Sequence, residues 1–561
     1  MTVCRTKLRH FCHQTLLAMS VGFLVSKPLH AAAYELNTLN ICDKQVSHTE
    51  RLRISPVARP PFMRLFKEPG FKTPTRRISD SSKGVVVKPA GNPAPSWNID
   101  ESLLLLYRYA EDSTVQILLL DGQNYEEKQV LNLPDLASEN LFWSHTDRAI
   151  AYFVSDSGDD AGQLIQLNIE SMQRSVIADF APMCQQAGFS ANEGVLAKPS
   201  FDDNLFGYRC GIDRGKSLAI AYNRQSNDLH SLRIGSGEKI AADSAPSPSP
   251  DANHFWLHGQ LFDAKLQLLR TIDSGDPSAA HTLAQRLNGE NVLFQVADKP
   301  SPRGCNGDLW DGIGLIVEHS LAEDQCKPFI NQTDSYGGVP EGTELFASAY
   351  RSPNWMAMAT VGYEDIDFLT NKAPAPLLTS EIYLVNTRAD RVRVCRLAHH
   401  RSFGDAARNA SYDPSLGSPN VTLSPTATRV LFASDWYDSG FVDTYVLELP
   451  TFTLYSLAGR WVDEFSPSVV TEFVQRGEKL EFVRVDDNAD SSNGIQTTGS
   501  GEISGNKIQL EYVVAVSDVR KVPGICDATI TGKGAGNAKN IVLSCQDNYF
   551  GRFRTTLIRE R

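Results

Sequence analysis

Apolar residues along the chain come in short runs, each preceded by a cluster of turn-forming polar residues. The clearest example is Leu423–Leu449. A Ser-Pro turn leads into Arg429–Ser434, the polar stretch Asp435–Gly440 breaks the run, and Phe441–Leu449 alternates back out. Alternation with a period of two, bounded by turn residues, predicts antiparallel strands. The same unit recurs at Trp97, Trp143, Pro199, Ser247, Arg286, Arg351 and Leu423. Each copy opens on Asp, Asn, Ser or Pro, as a tight bend requires. Each then runs into an apolar stretch without strict alternation, which suits a strand buried on both faces. A second alternating hairpin follows most copies, as in Gln163–Ile177, Glu381–Leu397 and Asp443–Leu457. Two hairpins per copy make a four-stranded sheet. Copies spaced about 40 to 70 residues apart predict a ring of seven such sheets over residues 73–457.

Segments outside the repeat read differently. Residues 34–72, with Arg59-Pro60-Pro61-Phe62 and Pro69-Gly70, form an extended leader. Thr75–Ile78 and Val85–Val87 are short strands that complete the first or last sheet of the ring. From residue 458 to 561 the chain breaks into short strands separated by Gly and Asn turns. The candidates are Glu472–Gln475, Lys479–Val485, Gly501–Ile503, Lys507–Val513, Ile525–Thr531, Asn540–Cys545 and Arg552–Ile558. Arg476-Gly477 and Gly505-Asn506 are hairpin turns. This predicts a small antiparallel barrel or sandwich. Helical periodicity is nearly absent, so the expected class is all-β: a seven-bladed β-propeller followed by a small β domain. Gly459-Arg460-Trp461 and the hairpin spacing are similar in style to small secreted calycin-like barrels. The loop Asp486–Gly494 lacks the mid-loop Gly and final Glu of a calcium-binding EF-hand loop.

Composition narrows the setting. A net charge of -12 argues against nucleic acid, which needs an excess of Lys and Arg. Arg5, Lys7 and Arg9 precede an apolar run, Leu16–Val25, that is too short to span a bilayer. Ala31-Ala32-Ala33 offers a cleavage site, so residues 1–33 read as a secretory signal peptide. No later run is long enough for a membrane span, which predicts a periplasmic or secreted protein. Cys4 and Cys12 fall in the signal segment, leaving eight of the ten cysteines. An even number in an exported chain favours disulfides. Local pairing predicts Cys184–Cys210, Cys305–Cys326 and Cys526–Cys545, with Cys42–Cys395 by elimination.

Ser247-Pro248-Ser249-Pro250-Asp251 and Ser424-Pro425-Thr426 resemble the WD40-like (PD40) repeats of TolB-type periplasmic propellers. The resemblance covers roughly residues 73–457 and implies a fold rather than an activity.

One cluster suggests chemistry. His399-His400-Arg401 follows the strand Val392–Leu397, with Tyr412 in the next long loop. At a propeller mouth, Arg401 or a histidine would neutralise a uronate carboxylate. A histidine or Tyr412 would then take the α-proton in a β-elimination. His399–Ser402 followed by Val430–Trp436 resembles oligogalacturonate-lyase propellers. Those enzymes hold a metal through a Gln-x-x-His-x-His cluster that this chain lacks, so no metal or cofactor is expected. On a strand, adjacent side chains point oppositely, which favours the plainer expectation that one histidine packs inside and the other is solvated. Trp310, Trp436 and Tyr437 lie in loop-like sequence and are candidates for stacking on a sugar ring. Trp97 and Trp143 hold equivalent repeat positions and are expected to pack. His254 and His258, at i and i+4 on an extended stretch, would share a face. There is no Gly-x-Ser-x-Gly elbow, no His-Glu-x-x-His and no phosphate loop. The leading expectation is an exported binding platform for a protein or glycan. The alternative is a polysaccharide lyase, and the oligomeric state is open.

Overall fold

The structure is a computed structural model. It describes residues 49–560 apart from 83–84, 91–94, 111–113, 137–139, 193, 212–215, 236–244, 273–280, 287–288, 298–312, 331–338, 341–342, 346–349, 351–354, 361–376, 387–392, 403–417, 438, 450–456, 477–478, 487–495, 505–506, 516–519 and 532–539. Seven antiparallel sheets follow one another along the chain. Their second strands are Leu103–Tyr109, Ile150–Val154, Leu205–Cys210, His254–Leu257, Asn291–Ala297, Trp355–Thr360 and Arg429–Ser434, in blades 1 to 7. The sequence repeat falls on the step from first to second strand: Trp97 bridges Leu104, Trp143 pairs with Ala151 and Leu423 with Val430. Second strands are apolar throughout because neighbouring blades cover both faces. One continuous core joins blades 1, 2 and 3 through Leu105, Trp143, Phe153 and Phe206.

Blade 7 closes the ring with a strand from the other end of the chain. Asp443–Glu448 pairs with Pro74–Arg77, in the register Thr75↔Leu447 and Arg77↔Tyr445, and Leu65–Lys67 adds outside that strand. The hairpin expected at Asp443–Leu457 is thus replaced on this edge by the N-terminal segment; residues 450–456 lie outside the described residues. The physical reason is the buried carboxylate of Asp443, which gathers Arg59, Arg77, Ser79 and the Ser81 amide from that segment. Val86–Lys88 then opens blade 1.

The Ser-Pro repeat has a local cause. Asn98, Ser200, Ser249 and Ser424 each accept from the backbone N–H five residues on, at 2.9, 2.9, 3.0 and 3.2 Å. The fourth turn residue takes a positive φ: Glu101 +58°, Asp203 +55°, Ala252 +59°, Ala427 +58°, and Gly289 +85° in blade 5. Glycine suits that position. Where it is acidic, the side chain reaches the preceding blade. Glu101 accepts from Thr426 N and Oγ1 (2.8 and 2.6 Å) and from Arg429 Nη2 (2.6 Å). Asp203 accepts from Ser144 Oγ (2.5 Å) and His145 N (2.9 Å). Alanine has no polar side chain to do this, and at Ala427 burial of the methyl in the core offsets the strain. At Ala252, which is only partly buried, Ala252→Gly is expected to stabilise by about 0.5 kcal/mol, net of the added unfolded-state freedom, read as a higher urea midpoint.

The seventh-repeat logic ends at residue 458. Eight strands, from Gly459–Asp463 to Gly551–Arg559, pair in sequence order, and Trp461↔Arg559 joins last to first. The C-terminal domain is therefore a closed barrel, not a sandwich. Alternation in Lys521–Thr531 puts Val522, Cys526, Ala528 and Ile530 inside.

Cys184–Cys210 and Cys526–Cys545 are disulfides, as expected. Cys326 and Cys395 are also disulfide-bonded; Cys305 and Cys42, their expected partners, lie outside the described residues. Trp97 and Trp143 are fully buried, donating to Gly122 O (3.1 Å) and Ser96 O (2.9 Å). His254 and His258 do not share a strand. His258 (φ +47°) and Gly259 (φ +76°) form the two-residue turn between His254–Leu257 and Gln260–Asp263. Among the described residues no helix is long and apolar enough to cross a membrane.

Candidate functional site

His399 ends the outer strand of blade 6, Arg393–His399, and His400 and Arg401 follow it. Trp436 and Tyr437 come from the turn after the second strand of blade 7. The structure brings His399, Arg401, Trp436 and Tyr437 together, turns His400 away, and packs the leader over them. Arg396 Nη1 donates to Glu50 O (2.7 Å), Tyr437 Oη to Ser55 O (3.0 Å) and Trp436 Nε1 to Val57 O (2.8 Å). Further along the leader, Phe71 meets the His399 ring edge-on at 4.9 Å.

The centre of this contact is Glu68. One carboxylate oxygen accepts from Arg401 Nη2, and the other accepts the Gly70 and Phe71 amides at 2.8 and 3.1 Å. Arg401 has φ +55°, and its Nη1 donates to His399 O (2.9 Å). Its guanidinium lies 5.2 Å over the Trp436 ring. Beside it, Arg396 makes a bidentate pair with Glu381 at 2.7 and 2.6 Å. His399 sits between the two carboxylates, 3.9 Å from Glu68 and 4.0 Å from Glu381, too far for a hydrogen bond. Glu68, Glu381, Arg396, His399, His400 and Arg401 are each at most 1% exposed.

Burial raises the Glu68 pKa, but His399 and Arg401 outweigh it and hold the carboxyl at about 2. Burial pushes His400 the other way, down to about 4. Its ring is fully committed. The Ser402 N–H donates to Nδ1 (3.0 Å), so Nε2 carries the proton and donates to Thr360 O (2.8 Å). A general base must reach the proton it removes. His400 has no free nitrogen, and His399 and Arg401 face the leader rather than solvent. Trp436, 3% exposed, has its ring against Phe66 and Tyr445 and offers no open face to a sugar. Tyr412 and Trp310 lie outside the described residues.

No family's sequence profile matches the chain, and no curated protein matches it. Among solved structures it is similar to TolB from Acinetobacter baumannii, at 12% identity over 72% of this chain and 78% of that one, with TM-score 0.24. It is similar to the β-propeller domain of the Trilobed protease from Pyrococcus furiosus, at 8% identity over 72% and 93%, with TM-score 0.28. A post-proline cleaving enzyme from Rickettsia typhi matches at 10% identity over 69% of this chain and 57% of that one, with TM-score 0.31. At such scores the assignment of seven blades rests on the sheets themselves.

Glu68 and Glu381 escaped the sequence reading. Glu68 sits in an irregular Lys-Glu-Pro-Gly stretch and Glu381 at a strand start, and neither shows a pattern that announces its partner hundreds of residues away or across a hairpin.

Proposed function

We propose that the protein is an exported propeller that serves as a rigid platform for a protein or glycan ligand. The observation that carries this reading is the closed state of the His399–Arg401 cluster, where Arg401 and Arg396 hold the leader through Glu68 and Glu50 O, His400 is committed to Thr360 and Ser402, and each of the three cluster residues is buried. Disulfides at Cys184–Cys210 and Cys526–Cys545 support an oxidising compartment, periplasmic or extracellular. Trp310, in the glycine-bounded stretch Gly307–Gly312 of the sequence, remains the aromatic candidate for ligand contact, and Tyr412 the candidate for a polar one.

Electrophoresis of the purified mature protein through gels containing uronate or neutral polysaccharides tests the glycan arm. Retention is expected without formation of the conjugated, ultraviolet-absorbing product of β-elimination, and Trp310→Ala is expected to weaken retention about tenfold. Product formation that disappears in Tyr412→Phe would replace the platform with a lyase. Without retention on any glycan, site-directed photo-crosslinking in the exporting cell tests the protein arm, and the absence of a discrete adduct there ends the platform reading.

A further inference from the structure

The barrel interior is divided along its axis. At the end marked by the pairs Arg476↔Lys479, Ser504↔Lys507 and Thr531↔Asn540, the lumen is filled by Leu480, Ile503, Ile508, Ile530 and Ile541. At the other end a cavity of about 490 Å³ remains, lined below by Phe473, Phe482, Leu510, Leu543 and the Cys526–Cys545 disulfide. The Tyr512 ring lies flat along the wall because Gly524 stands beside it. A Cβ there would come within 2.3 Å of that ring.

The mouth of the cavity is polar in an ordered way. Thr471, Arg484 and Thr497 stand directly opposite one another on three adjacent strands, and all three line the cavity. Thr471 is 2% exposed, and its Oγ1 has no hydrogen-bond partner among the described residues. A buried hydroxyl left in this state is unfavourable unless something in the cavity completes it. Arg484 Nη2 donates to Asp463 Oδ2 (2.5 Å), which also accepts from Thr555 Oγ1 (2.7 Å). That leaves Arg484 Nε and Nη1 as donors. On the opposite wall, Tyr512 Oη donates to Asp547 Oδ2 (2.5 Å).

These facts select a chemistry. A cavity of this size with a mainly apolar lining suits a molecule of about 15–20 non-hydrogen atoms. The polar row presents donors, so the ligand presents an acceptor. Among the described residues lining the cavity Arg484 is the one charged side chain, and Asp463 already neutralises it, so the site does not call for a ligand anion. We infer that the barrel binds one neutral, largely apolar small molecule whose carbonyl oxygen docks on the Thr471–Arg484–Thr497 row. This site is separate from the propeller, and it stands whether or not the platform reading does.

Fluorescence titration of the full-length protein with prodan, a neutral naphthyl ketone, tests it, with anilinonaphthalene sulfonate as the anionic comparator. Saturable binding of one prodan with blue-shifted emission is expected, with the sulfonate at least about tenfold weaker. Thr471→Val keeps the side-chain shape and removes the hydroxyl. It is expected to weaken prodan about fivefold or more with no fall in the unfolding midpoint. Leu543→Trp fills the cavity and is expected to abolish binding. The inference is overturned if the wild type shows no saturable site. It is equally overturned if Thr471→Val binds prodan as the wild type does, or if the sulfonate binds more tightly than prodan.

Discussion

Asp443→Asn is expected to destabilise the protein by about 3–5 kcal/mol and to free the N-terminal segment from blade 7. Asp443 is fully buried. One carboxylate oxygen accepts from Ser79 Oγ (2.9 Å) and Ser81 N (2.8 Å). The other accepts from Arg59 Nε (2.9 Å) and Arg77 Nη1 (3.2 Å), and from Arg59 Nη2. All of these partners are donors. An asparagine keeps the shape but turns one acceptor into a donor facing donors, and among the described residues it leaves Asp80 as the one carboxylate paired with the Arg59 and Arg77 guanidiniums. Asp80 is the internal control: its side chain is 59% exposed and pairs with the same Arg77, so Asp80→Asn should change stability by no more than about 1 kcal/mol. Urea unfolding reads the energies. Limited proteolysis under native conditions reads the release, with cleavage between residues 49 and 82 ahead of any cut in the blades. A wild-type urea midpoint and cleavage pattern in Asp443→Asn would show that the strand pairing closes the ring without the carboxylate.

The blades were legible because four of them, blades 1, 3, 4 and 7, repeat the same short-range chemistry. A Ser or Asn that accepts from the amide five residues on, followed by an apolar strand, needs no information from elsewhere in the chain, so the copies at Trp97, Ser247 and Leu423 could be read in isolation. Seven of the eight barrel strands were legible for the same reason; Gly459–Asp463 was not named as one, and one other was read short. Gln496–Ser504 was read only as Gly501–Ile503, because Gly499 and Gly501 face the lumen and glycine reads as a strand breaker. What stayed hidden was long-range. Thr75–Ile78 was read as completing the first or last sheet, but the Asp443–Leu457 stretch carries a fair hairpin pattern, and nothing local shows that the N-terminal strand takes that edge in place of the second half of the hairpin. His399-His400-Arg401 looked like exposed chemistry because consecutive His, His and Arg are polar. Only the folded chain shows Glu68 and Glu381 arriving to neutralise the arginines. In the same way, Glu101 and Asp203 were visible as turn residues but not as links to the preceding blade, since their partners belong to other copies.

The buried histidine gives the second large effect, and its sign follows from its direction of shift. His400 is held at about 4 in the folded state, below its ordinary value of 6.5. Between those values the unfolded chain binds the proton and the folded one does not, so stability rises with pH there. The contribution is complete above pH 6.5 and is lost as pH falls toward 4, about 3 kcal/mol in all. Glu68 adds a second loss of similar size at lower pH, between its ordinary value of 4.5 and about 2. His400→Gln separates the two. A glutamine amide can still donate to Thr360 O and accept from Ser402 N, but it cannot be protonated. Urea midpoints measured across the pH range should therefore fall steeply for the wild type below pH 6.5. For His400→Gln they should stay nearly level until the Glu68 window opens. If the variant retains the wild-type slope between pH 6.5 and 4, the proton is being taken up elsewhere and His400 is already able to ionise in the folded protein. That second result would matter beyond stability. A His400 that protonates without unfolding does so at Nδ1, which implies that the contact from Ser402 N–H opens while Nε2 goes on donating to Thr360 O, and the ring would then have a nitrogen free for chemistry that its closed geometry denies.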